Sequence, residues 1–304
     1  MRVLVIGATG QLGRALLQRA PDTIGGVPVE VLATSRLGDE ACLALDLADA
    51  DACNRLVETV CPDWVINAAA YTGVDQAERE PELAHAVNAA APAALAQALQ
   101  RTGGHLLHLS TDFVFNGRQG SPYDPSHPVD PLGVYGSSKA AGESLAALAL
   151  SPSQLCILRT SWLYGSTGHN FVLTMLRLMR ERSEFGVVAD QVGSPTAVPG
   201  LVAACWSVVA HQISGTHHWS DAGVASWYDF ALAIAEIGQA VGLLPSPARV
   251  IPIGIKDYPA PARRPSYSVL DCTSTRRLLQ LPVLHWRSAL RQVLGEMMST
   301  YNLG

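Results

Sequence analysis

The chain has 304 residues, of which 48% are hydrophobic and 15% charged, so it can bury the core of one large domain or two ordinary ones. Its net charge of −5 gives no reason to expect a nucleic acid or an anionic membrane as partner. The six cysteines are scattered without a Cys-x-x-Cys spacing, which indicates buried thiols and neither a disulfide framework nor a zinc site. Because no secretion signal or membrane-spanning apolar run is visible, we expect a cytoplasmic protein.

The first half of the chain alternates short runs of Val, Ile and Leu with Ala/Leu-rich stretches of helical length. The predicted strands cover residues 2–7, 29–35, 63–70, 105–111 and 154–162. Nearly continuous apolar strands separated by helices are typical of a parallel sheet that is covered on both faces. The predicted fold class is therefore α/β, a Rossmann-like doubly wound parallel sheet.

The second half has a looser rhythm. Helices are predicted over residues 171–182, 201–213, 227–241 and 285–298, separated by Pro/Gly-rich pieces, of which 257–267 holds the most prolines. We expect residues 1–164 to form the Rossmann domain, with a return segment near 193–220. Residues 165–304 are expected to form mainly a smaller, discontinuous α/β domain whose loops contribute to a site.

A glycine-rich loop follows the first strand directly. Gly7, Gly10 and Gly13 lie in "GATGQLG", and the loop opens the predicted helix "QLGRALLQRA". Glycines at such a turn let the backbone approach a pyrophosphate, and the helix N-terminus supplies free N–H groups and positive dipole charge. The first domain is therefore predicted to bind a dinucleotide.

The end of the second strand favours NADPH as the cofactor, with NADH possible. An NAD site usually has an acidic residue there to bond the ribose 2′-hydroxyl. This chain has Ser35 and Arg36 instead, and an arginine can pair with a 2′-phosphate. Asp46, after the next apolar step, is a candidate for the adenine edge.

Tyr135 and Lys139 lie four residues apart in "GVYGSSKAAGE", so on a helix they share one face. The pair is either a solvated helix start or a proton donor with a neighbour that tunes it. We expect the small residues around it to leave room for ligands to approach the tyrosine.

Longer strings surround these features: "VINAAAYTGVDQAEREPELAHAVNA", "LSTDFVFNG", "VYGSSKAAGE", "LRTSWLYG", "NFVLTMLRL", "DQVGSPT" and "RRPSYSVLD". With "GATGQLG", they resemble the extended short-chain dehydrogenase/reductase family, and within it the dTDP-4-dehydrorhamnose reductase family, nearly from end to end.

The resemblance implies three catalytic residues. Tyr135 would protonate a substrate carbonyl oxygen, Lys139 would lower the pKa of the phenol and bond the nicotinamide ribose, and Thr111 would orient the reacting oxygen. A free phenol has a pKa of ~10, so reaching ~7 would need about 4 kcal/mol of differential stabilisation.

The resemblance also implies two binding sets. The cofactor-binding residues would be Gly7, Thr9, Gly10, Gln11, Leu12, Gly13, Ser35, Arg36, Asp46, Leu47, Ala68, Ala69, Ala70, Tyr71, Ser110, Tyr135 and Lys139. The substrate-binding residues would be Thr72, Val74, Asp75, Asp112, Trp162, Asn170 and Arg264, with Gln191 and residues 193–196 near them. A guanidinium at Arg264 suits a diphosphate. Asn88 is open between a structural and a catalytic role.

No metal site is predicted. His217 and His218 are adjacent in a predicted strand, so they point to opposite faces and cannot chelate one ion together. Some members of the family bridge a dimer through magnesium, with a carboxylate on the first helix, but this chain has Arg14 and Ala15 there and keeps only Asp190 of the second cluster. Magnesium is therefore doubtful, and the chain is expected to be a monomer or a homodimer.

The resemblance implies NADPH-dependent reduction of the C4 keto group of dTDP-4-dehydro-β-L-rhamnose to dTDP-L-rhamnose, for cell-surface polysaccharide. One alternative is a nucleotide-sugar epimerase or dehydratase of the same fold. Dehydratases similar to this chain carry Asp-Glu after the active-site threonine, whereas Thr111 is followed by Asp112 and Phe113. The other alternative is a non-catalytic NADP-binding regulatory subunit.

Overall fold

The computed structural model describes residues 1–301 of the chain. Its strands, in chain order, are β1 (Arg2–Ile6), β2 (Thr23–Ile24), β3 (Val27–Pro28), β4 (Glu30–Ser35), β5 (Leu43–Ala44), β6 (Trp64–Asn67), β7 (His105–Thr111), β8 (Leu155–Thr160), β9 (Leu163–Tyr164), β10 (Glu184–Val188), β11 (Val192–Gly193), β12 (Thr196–Ala197), β13 (Gly215–His218), β14 (Ala225–Ser226) and β15 (Arg249–Ile253).

The helices are α1 (Gln11–Gln18), α2 (Ala50–Val60), α3 (Val74–Ala77), α4 (Pro81–His85), α5 (Ala91–Thr102), α6 (Val134–Ala149), α7 (Phe171–Glu181), α8 (Val198–His211), α9 (Trp227–Ala240), α10 (Thr273–Leu279) and α11 (Trp286–Tyr301). A π-helical turn, Ala86–Ala90, joins α4 to α5, and short 3₁₀ turns cover Asp112–Val114 and Ile255–Asp257.

Seven strands form one parallel sheet in the order β13-β8-β7-β6-β1-β4-β5. The chain runs outward from β1 through β4 and β5, then returns to β6 on the other side of β1. In such sheets the crevice at the carboxyl ends of the strands, where the order reverses, is where ligands bind. The predicted α/β doubly wound fold is confirmed.

Two hydrophobic layers cover the sheet. One packs α1 and α8 on one face through Leu12, Leu16 and Leu201. The other packs α2, α5 and α6 on the opposite face through Val57, Leu95 and other apolar side chains. Because helices cover both faces of the sheet, its strands are apolar on both sides, as the sequence shows.

A third hydrophobic cluster lies beyond the main sheet. It joins α7, α9 and α11 to the two-stranded parallel sheet of β10 and β15. The predicted helices of the second half are all present, whereas the segment near 193–220 supplies α8 and the edge strand β13 to the main sheet. The division at residue 164 stays a prediction.

Among residues 1–301, none of the helices combines the length and the apolar character that crossing a membrane requires.

Candidate active site

A cleft of about 640 Å³ opens at the carboxyl ends of the central strands. Most of the predicted site residues line it together: Gly7, Thr9, Gly10, Gln11, Leu12, Ala68, Ala69, Ala70, Thr72, Ser110, Thr111, Asp112, Tyr135, Lys139 and Trp162. The residues predicted to bind the cofactor and those predicted to carry the chemistry therefore share one cavity.

The glycine loop is built so tightly that side chains are excluded. Gly7 has a φ of +88°, and a Cβ there would lie 2.8 Å from the Cβ of Ala69. A Cβ on Gly13 would lie 2.1 Å from the carbonyl oxygen of Gly7, so α1 sits directly on the loop. Gly10 caps α1 without a side-chain bond, which leaves the N–H groups of the first turn free. This cradle fits the pyrophosphate of a dinucleotide.

Asn88 clamps the other wall of the cleft. Its Oδ1 accepts from the backbone N–H of Tyr71 at 2.8 Å, and its Nδ2 donates to the Tyr71 carbonyl and the Ser138 hydroxyl, both at 3.0 Å. The loop after β6 is thereby tied to α6 one residue before Lys139. Asn88 lies in the π-helical turn, and its contacts are structural. Tyr71 itself turns away, since its hydroxyl donates to Glu80 at 2.7 Å.

Tyr135 is the second residue of α6, and its ring packs edge-to-face with that of Phe113. Burial raises the pKa of its phenol to about 12, although a hydrogen bond with Thr111 acts in the opposite direction. The expectation that Lys139 lowers this pKa is not met in this arrangement. The physical reason is that burial of the phenol outweighs the hydrogen bond that favours the phenolate.

Lys139 is buried, and its Nζ donates to the backbone carbonyl of Leu109 at 2.6 Å. Burial lowers the pKa of the amine to about 8, and the charge of Glu143 acts in the opposite direction. Tyr135, Lys139 and Glu143 follow one another at four-residue spacing on α6, so a proton donor, a cation and an anion share one helix face.

The small residues of α6 have a different use from the one expected. A Cβ on Gly136 would lie 2.3 Å from the Phe113 carbonyl oxygen, and one on Gly142 would lie 2.0 Å from that of Asn88. These glycines let α6 pack closely on its neighbours. They fix the distance of Tyr135 and Lys139 from the sheet, and do not themselves make room for ligands.

Thr111 and Asp112 end β7 inside the cleft. The Thr111 hydroxyl donates to Asp112 Oδ1 at 3.0 Å and accepts from the Phe113 N–H at 3.2 Å. Burial raises the pKa of Asp112 to about 6. A carboxyl group with that pKa, next to the uncharged Tyr135 phenol, can form hydrogen bonds with a sugar.

Six predicted cofactor residues do not line the cleft: Gly13 and Tyr71, described above, and Ser35, Arg36, Asp46 and Leu47, which lie near its β4 and β5 end. Ser35 Oγ accepts from the Gly38 N–H at 3.1 Å, Leu47 is buried, and Arg36 Nε lies 4.0 Å from Asp46 Oδ1. The Ala8 N–H donates to the Thr34 carbonyl at 2.9 Å, which ties the glycine loop to this end. The ion pair is exposed, so it is available to a ligand that extends from the loop.

Trp162 closes the cleft on the side of the second half. Its indole stacks on that of Trp227, the first residue of α9, with ring centroids 3.5 Å apart. Its φ of 46° is left-handed, a conformation that costs about 1–3 kcal/mol for a non-glycine residue and persists only where packing holds it. A Cβ on Gly193 would lie 2.6 Å from this indole.

Asp75 and Arg264 are both predicted substrate residues, and the structure pairs them with each other. Arg264 Nη2 lies 2.7 Å from Asp75 Oδ2, and Nη1 donates to Oδ1 at 3.1 Å. The guanidinium lowers the pKa of Asp75. Arg264 also lines a second cavity of about 280 Å³ with Gln191, Phe171 and Trp227. This second cavity lies beside the Trp162–Trp227 stack.

Two further predicted substrate residues have other positions. Asn170 caps α7 by accepting from the Leu173 N–H at 3.1 Å, and its Nδ2 donates to Gln11 Oε1 at 3.3 Å. Val74 lies with Tyr135 in a separate small recess. Asn170 therefore ties the second half to the glycine loop.

Six further residues that were not predicted from the sequence line the cleft: Leu109, Thr160, Ser161, Leu163, Gly168 and His169. Thr160 is the last residue of β8 and Ser161 follows it, and this position at a strand end was a usable signal. Gly168 and His169 lie in a loop whose sequence carries no such signal. The buried pairs Asn67–His108 and Glu143–Arg159 were not predicted either.

Across the described part of the chain, no three His, Cys, Asp or Glu side chains come together as a metal site. His217 and His218 make separate hydrogen bonds, to the carbonyls of Ser214 and Tyr123.

Residues 1–299 match the family model of the RmlD substrate binding domain. The chain belongs to this family. Among curated relatives, the "dTDP-4-dehydrorhamnose reductase" of Aggregatibacter actinomycetemcomitans is 40% identical over 96% of this chain and 98% of its own length. The "Spore coat polysaccharide biosynthesis protein SpsK" of Bacillus subtilis is 38% identical over 97% of each chain.

Solved structures agree with this membership. The dTDP-4-dehydrorhamnose reductase of Bacillus anthracis, crystallised in complex with NADP, has a TM-score of 0.87 and 35% identity over 97% of this chain and 99% of its own. A UDP-glucose 4-epimerase of Thermus thermophilus, with a TM-score of 0.78 and 21% identity over 98% of this chain and 99% of its own, shares the fold. The family resemblance stated from the sequence is confirmed.

Proposed function

We propose that this protein is an NADPH-dependent reductase that converts the C4 keto group of dTDP-4-dehydro-β-L-rhamnose into the hydroxyl of dTDP-L-rhamnose. The observation that carries the proposal is that Thr111, Tyr135 and Lys139 line one cleft with the glycine loop. The relatives similar to it over nearly the whole chain, including the one solved with NADP, support the substrate and the cofactor.

NADPH would supply the hydride, with its pyrophosphate against Gly7, Gly10 and the N-terminus of α1 and its 2′-phosphate toward Arg36. The remaining chemistry belongs to the side chains. The Tyr135 phenol, with a pKa of about 12, is protonated at neutral pH, which is the state that a proton donor to a carbonyl oxygen requires. The Thr111 hydroxyl favours the phenolate that remains, and the Lys139 ammonium would bond the nicotinamide ribose.

The substrate would enter from the second half. Its sugar would meet Asp112 and Trp162, and its diphosphate would meet Arg264, whose guanidinium now holds Asp75. A planar guanidinium bonds phosphate oxygens in pairs. The diphosphate of the substrate would therefore take the place of the Asp75 carboxylate as the partner of Arg264.

The test is an NADPH-oxidation assay with dTDP-4-dehydro-L-rhamnose, repeated with NADH, with the product identified by mass spectrometry. We expect dTDP-L-rhamnose and faster turnover with NADPH. Purified protein that holds NAD tightly and interconverts or dehydrates a nucleotide hexose would overturn the proposal in favour of an epimerase or dehydratase. Bound NADPH without turnover of any keto sugar would favour a regulatory subunit.

The same proposal includes a cytoplasmic location and a monomer or homodimer that needs no magnesium. All six cysteines are free thiols, four of them buried, as is usual in a reducing compartment. Asp190, which remains of the second acidic cluster, accepts from the Ile255 N–H. Sedimentation in magnesium and in EDTA tests the assembly: a dimer that dissociates only in EDTA contradicts it.

A further inference from the structure

A buried histidine, His108, lies next to the proposed reaction centre, and the proposed mechanism gives it no role. It is fully buried on β7, directly opposite Asn67 in the register of β6 and β7. Its Nδ1 lies 3.2 Å from Asn67 Nδ2, and its Nε2 lies 3.4 Å from Lys139 Nζ. The three side chains thus form a row from the centre of the sheet to the cleft.

The hydrogen bonds of Asn67 decide which nitrogen of His108 carries the proton. Asn67 Oδ1 accepts from the backbone N–H of Ala69 at 3.3 Å, so the amide NH₂ faces His108 and must donate. His108 Nδ1 therefore accepts and carries no hydrogen, which leaves the single proton of a neutral imidazole on Nε2. Burial and the charge of Lys139 hold the pKa of His108 well below its usual range, so the ring is neutral.

The Nε2–H of His108 then points at the amine of Lys139. An ammonium has three donors and no acceptor, and one of its hydrogens is given to the Leu109 carbonyl at 2.6 Å. None can be given to His108, because two donors would face each other. We propose that His108, held by Asn67, is a positioning residue that makes Lys139 direct its two remaining N–H bonds into the cleft.

The same contact acts on the proton of Lys139. The positive end of the Nε2–H dipole and the burial of the amine both disfavour the ammonium. Glu143 on α6 favours it, but this carboxylate is already engaged by Arg159 of β8 and by the hydroxyl of Ser110.

Other ionisable groups around this face do not replace that effect. Tyr135 of α6 is uncharged at neutral pH, and Asp112 follows β7 at the cleft with a pKa of about 6. The charged residue of α5, Arg101, pairs with Glu58 at an exposed position. Replacing His108 by an apolar side chain should therefore raise the pKa of Lys139.

The first test does not depend on activity. Nitrogen NMR of the full-length protein labelled with ¹⁵N-histidine reports which ring nitrogen is protonated, and a His108→Gln variant assigns the signal. We expect the Nε2–H tautomer for His108. His218 is the internal reference, since its Nδ1 faces the Tyr123 carbonyl and its Nε2 faces Arg159, which requires the opposite tautomer. A proton on Nδ1 of His108, or a charged ring at neutral pH, overturns the proposal.

The second test reads the consequence for turnover and rests on the proposed reductase function. His108→Gln keeps an N–H donor, whereas His108→Leu removes it at similar volume. We expect His108→Leu to move the basic limb of the kcat profile upward by about one pH unit and to lower kcat several-fold at neutral pH. His108→Gln should restore both toward wild type.

A matched control comes from the other end of the same strand. His105→Gln changes a histidine that stacks on Trp64, far from Lys139, and should leave the profile unchanged. Identical profiles for His108→Leu and wild type, with both folded by thermal unfolding, contradict the positioning role. Absence of turnover in wild type would contradict the proposed function alone, because the tautomer measurement stands without it.

Discussion

The two sides of the cleft are built by different means. The cofactor side is made of backbone and small residues: Gly7, Gly13 and Ala69 approach one another so closely that no Cβ fits on either glycine. The substrate side is made of large side chains from distant parts of the chain, among them Trp162 stacked on Trp227 and Asp75 paired with Arg264. Added atoms should therefore harm the first side, and removed atoms the second.

The largest expected effect comes from a residue that lies between the two sides. Tyr135→Phe removes one oxygen and keeps the ring against Phe113, so both walls of the cleft keep their shape. We expect kcat to fall by about 10²–10⁴-fold, the range for loss of a general acid, in the NADPH-oxidation assay. NADPH affinity, followed by fluorescence titration, should stay within a few-fold of wild type. A loss of NADPH affinity as large as the loss of kcat would show that the Tyr135 hydroxyl serves mainly to bind the cofactor and not to donate a proton.

The cofactor side is tested by adding one methyl group. Gly13→Ala places a Cβ 2.1 Å from the Gly7 carbonyl oxygen, so α1 and the loop must separate. We expect a loss of about 1–3 kcal/mol of stability, as for overpacking, and weaker NADPH binding. Gly120→Ala is the control, because its Cβ would meet nothing within 4 Å. Equal melting temperatures for the two variants would contradict the tight cradle.

The same contrast explains what could be predicted from the sequence. Five apolar strands and the Gly7/Gly10/Gly13 spacing are local patterns, and both the sheet and the cradle follow from them. The Asp75–Arg264 pair joins residues 189 positions apart, and no local pattern shows that two predicted ligand-binding groups would bind each other. Burial raises the pKa of Tyr135, and burial depends on how distant segments pack, so the direction of this shift could not be read from helix spacing alone.

The substrate side is tested by removing a charge. Arg264→Gln takes away the guanidinium that holds Asp75 and lines the second cavity. A hydrogen bond to a charged group contributes about 1.5–3 kcal/mol, so we expect KM for the nucleotide sugar to rise about tenfold or more. KM for NADPH should not change. If both constants rise together, Arg264 acts through the fold of the whole cleft and the two sides are less independent than we propose.

The smallest expected effect concerns an exposed side chain on the cofactor side. Arg36 is 69% exposed and lies 4.0 Å from Asp46. Because water screens exposed ion pairs to about 0–1 kcal/mol, Arg36→Ala should raise KM for NADPH only a few-fold and leave KM for NADH unchanged. Asp46→Asn removes the competing carboxylate and should leave NADPH binding equal or slightly tighter. An unchanged KM for NADPH in Arg36→Ala would mean that the backbone cradle alone holds the cofactor, and that Arg36 does not select between the two nucleotides.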